Sequence, residues 1–132
     1  MLARVLGAAL SLTRVGFGAA YLARPGPAGR GWIGRVARDP AAQVAMRGLG
    51  ARDLALGAGG LWALGRGDEI AARRWLTGQA LADGADVFST LAARRRLPAA
   101  GFRFALAMAG GSTAVAVASA ALLARGDDAH RP

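Results

Sequence analysis

Five ionisable residues stand where the surrounding chain is mostly alanine, leucine and glycine: Arg14, the adjacent pair Arg52 and Asp53, and the carboxylates Asp83 and Asp86. Charges of both signs inside apolar stretches have two chemistries open to them. They can neutralise one another as a buried ion-pair network that sets the register of the helices carrying them. They can also form a proton or ion pathway, since paired ionisable groups at bilayer midplane are what pumps and transporters use. Arg47, nearer one end of its segment, brings the set to three arginines and three aspartates, an equality that favours the structural reading. Gln79 and Thr90 extend the two carboxylates into one polar stripe, because positions 79, 83, 86 and 90 recur on a single helical face.

Other chemistries find no residues. There is no cysteine, so disulfides, thiolate catalysis and cysteine metal sites are excluded. The single histidine, His130, lies in a polar tail and reads as a solvated residue; alone it makes neither a metal site nor a hydrolytic triad. The glycines at 57, 59 and 60 begin like a dinucleotide fingerprint, but Trp62 stands where its last glycine belongs and no strand precedes it. Arg94, Arg95 and Arg96 lack the interleaved aromatics of a nucleic-acid site and sit against an apolar segment, a placement suited to anionic lipid headgroups. No cofactor, metal or enzymatic activity is expected.

The elements that must position these charges follow from hydrophobic patterning. At 132 residues the chain is one domain, and 54% of it is hydrophobic, above the roughly 45 to 50% of soluble proteins. All 17 basic residues are arginine, which we read as the codon usage of a GC-rich genome. The run from Phe104 to Ala124 carries no charge between Arg103 and Arg125 and is long enough to cross a hydrocarbon core of ~30 Å. Segments of similar length at 5–23, 44–64 and 75–93 contain the charges. Asp39 and Pro40 open the second as cap and first-turn residue; Asp68 and Glu69 precede the third, and three arginines close it. Breaks are expected at Arg24 to Gly29, Gly65 to Asp68, and Leu97 with Pro98. Between Gly31 and Asp39, Trp32, Ile33 and Val36 fit a short helix at the membrane surface or a polar loop. The N-terminus imitates a signal peptide, but Arg14 interrupts its apolar run, so a retained helix is expected.

Within the first segment Gly7, Ser11, Arg14, Gly18 and Tyr21 share a face, and within the second Gly50, Asp53, Gly57 and Gly60 do the same. Small residues there permit close helix packing and offer a route to self-association. Such charges should not face lipid, where even insertion scales put the cost at about 2.5 to 3.5 kcal/mol each. The expected fold is therefore all-α, a membrane four-helix bundle with its charges turned inward. Two alternatives stay open: a transport element using Asp53, Asp83 and Asp86, and a soluble basic helical protein that binds nucleic acid. The soluble case draws on a mean hydropathy of only +0.31.

Asp39 with Pro40, the run from Arg47 to Gly57, Arg74 with Trp75, and the pattern from Ala82 to Asp86 together resemble a family of small four-helix membrane proteins of unknown function found in actinobacteria. The resemblance extends from about Arg14 to Thr90 and implies four spans in a bacterial inner membrane, with no activity attached. Arginine placement gives a topology. The end holding the first and third connections (Arg24, Arg30, Arg35, Arg38, Arg94, Arg95, Arg96, Arg103) outweighs the other (Arg4, Arg66, Arg73, Arg74, Arg125, Arg131), which puts both termini outside the cytoplasm.

Overall fold

The structure, a computed structural model, describes residues 1–128; His130 and Arg131 lie outside the described residues. Those residues are all-α: α1 (Leu2–Ala23), α2 (Pro25–Ile33), a 3-10 turn (Gly34–Arg38), α3 (Pro40–Gly65), α4 (Glu69–Ala92) and α5 (Ala99–Asp128). The four long helices pack in chain order as a ring, α1 on α3, α3 on α4, α4 on α5 and α5 on α1.

Local signals place the boundaries. Asp39 accepts from the backbone N–H groups of Ala41 (2.8 Å) and Ala42 (3.2 Å), satisfying donors that the first turn of α3 leaves without partners. Asp68 does the same for α4 through Ala71 N at 2.9 Å. Between them Gly67 adopts φ 71°. Its N–H donates to Leu64 O and that of Asp68 to Ala63 O, the paired bonds of a glycine-terminated helix end.

The first connection departs from the sequence reading. The stretch from Pro25 to Gly29 is helical, not a break, because Pro25 and Pro27 fall in the first turn, where a missing N–H removes no helical bond. The expected surface helix accordingly ends at Ile33, where Gly34 with φ 67° stops it, and the rest of the segment winds as the 3-10 turn. This helix is also not free at a surface: a Cβ on Gly101 of α5 would collide with the Trp32 carbonyl.

α1 and α3 run antiparallel at backbone contact. A Cβ built on Gly18 would lie 2.6 Å from Leu54 N, one on Gly50 2.8 Å from Gly18 O, and one on Gly57 2.5 Å from Ser11 O. The small-residue faces that the spacing offers for self-association are therefore occupied inside the chain. Apolar packing concentrates at one end of the ring, where Leu10, Ala63, Leu64, Leu76 and Leu123 meet. Around the middle, the buried residues are polar: Ser11, Arg14, Asp53, Gln79, Asp83 and Thr90.

Two helices, Leu2–Ala23 and Ala99–Arg125, are long and apolar enough to cross a membrane.

Candidate functional site

Helical periodicity turns Arg14 of α1, Asp53 of α3 and Asp83 of α4 toward a common interior, and all three are buried. Arg14 Nη1 donates to Asp53 Oδ1 at 2.7 Å, and its Nη2 donates to the Gln79 carbonyl at 3.1 Å and pairs with Asp83 Oδ2. One guanidinium thus ties α1 to both α3 and α4. Gln79 adds a neutral tie: its Nε2 donates to Ser11 Oγ at 3.0 Å and to Leu56 O at 3.1 Å.

Arg52 completes the arrangement. Its Nη1 and Nη2 grip Asp86 Oδ1 and Oδ2 at 3.1 and 2.7 Å, a planar fork on a carboxylate. The same side chain also reaches its neighbour, Nε and Nη2 lying 3.2 and 3.1 Å from Asp53 Oδ1. Adjacent side chains on a helix point roughly 100° apart, an angle that directs Arg52 and Asp53 to separate partners. Both do find other partners, yet the long arginine stem also bends back across that angle. The charges alternate along one chain, Asp83, Arg14, Asp53, Arg52, Asp86, beginning and ending on acid.

Arg47 is not part of this chain. It is exposed on α3, and no ion pair joins it to these acids. Its side chain and that of Asp53 point about 120° apart around the helix, so a shared segment does not mean a shared face. The equality of three arginines and three aspartates therefore does not describe the cluster, which holds two positive charges against three negative.

The polar stripe on α4 is also one wall of a cavity of about 100 Å³. Arg14, Asp53, Asp83, Asp86 and Thr90 form its polar side. The remaining lining includes Thr13, Phe17 and Tyr21 of α1, Trp32 of α2, and Phe104, Met108, Ala109 and Ser112 of α5. Phe17, Phe104 and Met108 are partly exposed, so the cavity opens sideways between α1 and α5, which contact each other less extensively than α1 and α3 do. Thr90 Oγ1 and Trp32 Nε1 are buried with no hydrogen-bond partner, and both residues line this space. Sequence patterning placed Tyr21 and Thr90 on the right faces but carried no signal for the cavity, since α5 and Trp32 reach it only through tertiary packing.

Among the described residues no group of histidine, cysteine or carboxylate side chains is disposed to hold a metal ion. Comparisons with protein-family models, with curated proteins and with solved structures gave no match.

Proposed function

We propose that this chain is a small, non-enzymatic integral membrane protein, a four-span bundle of the bacterial inner membrane, acting as a structural or accessory component. The observation that carries this reading is an inverted distribution of polarity. Gln79 and Arg14 are 0% and 5% exposed, whereas Leu12, Leu81 and Phe88 on the outer faces are 63%, 71% and 74% exposed. In water such an outer surface would be an aggregation site, and in lipid it is the solvent-matched face. The interior charges then hold the helices in one register. The arginine-rich connections meet anionic headgroups, with both termini outside the cytoplasm. The motif resemblance to small actinobacterial membrane proteins supports the same reading.

Fractionation of cells expressing the chain tests it. The protein should stay with membranes through high-salt washing and be released by detergent; native protein in the detergent-free soluble fraction would overturn the proposal. A second reading, a proton- or ion-coupled transport element using Asp53, Asp83 and Asp86, is favoured by one observation, the cavity that opens onto those carboxylates. Proton flux into liposomes carrying the purified protein, lost in Asp83→Asn, would establish it.

A further inference from the structure

The cluster beside the cavity is one positive charge short, and the cavity wall is aromatic. We propose that the cavity between α1 and α5 binds an organic monocation, an alkyl- or arylammonium whose charged head meets Asp83 and Asp86 and whose apolar substituents rest on Phe17 and Phe104.

Several independent observations select this chemical class. Two guanidinium groups face three carboxylates, so an anion adds to a surplus of its own sign and a cation removes it. Phe17, Tyr21, Trp32 and Phe104 all line this one space, half of the aromatic residues in a sequence with four Phe, three Trp and one Tyr. Aromatic faces attract a poorly hydrated ammonium through their quadrupole, which is how quaternary ammonium ligands are recognised. A divalent metal ion lacks a ligand set among the described residues. Thr90, only 2% exposed, carries a hydroxyl with no partner on the cavity wall, a polar contact left open for a ligand or its water. The volume of about 100 Å³ suits a compact ammonium head, and the sideways opening leaves room for a longer apolar substituent to pass between α1 and α5.

The inference rests on the membrane reading only for the side from which the ligand enters, so binding is measured on the purified full chain and fractionation is scored separately. The probe is benzyltrimethylammonium, titrated calorimetrically into protein in a neutral maltoside detergent. Its control is neopentylbenzene, the same shape with carbon in place of the charged nitrogen. Saturable binding of the cation is expected, with the neutral isostere weaker by about tenfold or more, a factor within reach of desolvated cation–aromatic attraction.

Asp86→Asn equalises the charges while leaving Arg52 an acceptor, and should weaken the cation by about tenfold or more. Ala109→Trp on α5 places an indole in the cavity from a lining residue that is not itself part of the charged chain, and should abolish binding. Phosphocholine separates a free cation from a lipid headgroup, because its phosphate returns the negative charge that the site disfavours, and it should not compete. The proposal is overturned if the wild-type chain gives no saturable binding, if the isostere or phosphocholine binds as well as the cation, or if Ala109→Trp, eluting as a monodisperse helical protein, binds unchanged. Should Asp86→Asn fail to fold, the isostere and Ala109→Trp comparisons still decide.

Discussion

Arg52 Nη2 lies 2.7 Å from Asp86 Oδ2 on α4 and 3.1 Å from Oδ1 of Asp53, its own neighbour on α3. A single guanidinium therefore joins two helices and also shares Asp53 Oδ1 with Arg14, so that one carboxylate oxygen serves two cations. Neither arginine is spare, and the carboxylate at each end of the chain has one arginine only.

Arg52→Lys keeps the charge and loses the fork. A lysine ammonium meets one carboxylate as a point charge and does not reproduce the planar two-point grip on Asp86. Thermal unfolding in detergent should show a loss on the order of 1.5 to 3 kcal/mol, the range for a hydrogen bond to a charged group. A melting temperature equal to that of the wild type would mean that the fork contributes nothing.

Arg14→Leu should destabilise by about 3 to 5 kcal/mol, because it leaves the buried Asp83 with no arginine, whereas Asp83→Leu should cost less, because Arg14 keeps Asp53. The double variant should cost less than the sum of the two, since Asp53 retains Arg52 when Arg14 and Asp83 are removed together. Denaturant titration of all four proteins gives the coupling. Additive losses would show that Arg14 and Asp83 act independently.

Arg47→Leu should leave stability within about 0.5 kcal/mol of the wild type, as an exposed side chain outside the ion-pair chain predicts. The same titration series measures it, and a loss comparable to that of Arg14→Leu would place Arg47 back among the interior charges.

Gly18→Ala should destabilise by about 1 to 3 kcal/mol, because the new methyl meets backbone atoms of α3 that have no side chain to move aside. Gly16→Ala, two positions away with nothing within 4 Å of a built Cβ, should be neutral or gain up to about 1 kcal/mol of helix propensity. Equal behaviour of the two variants would contradict the contact between α1 and α3.

Much of this arrangement is legible in one dimension. Caps at Asp39 and Asp68 follow from residue type alone, and a period of 3.6 residues puts Arg14 with Gly18, Asp53 with Gly57, and Asp83 with Gln79 on faces that the folded chain buries. Periodicity fixes the face of a helix but not its height or rotation against a neighbour. Which acid meets which arginine was therefore decided only when the glycines of α1 and α3 let their backbones touch, bringing Gly18 level with Gly50 and Leu54 and carrying Arg14 to Asp53. The exclusion of Arg47 is rotational, and the bend of Arg52 back to Asp53 depends on side-chain reach. The cavity exists because α5, a helix whose sequence carries no charge from Phe104 to Ala124, packs more loosely on α1 than α3 does, leaving Asp83 and Asp86 facing aromatic rings across open space.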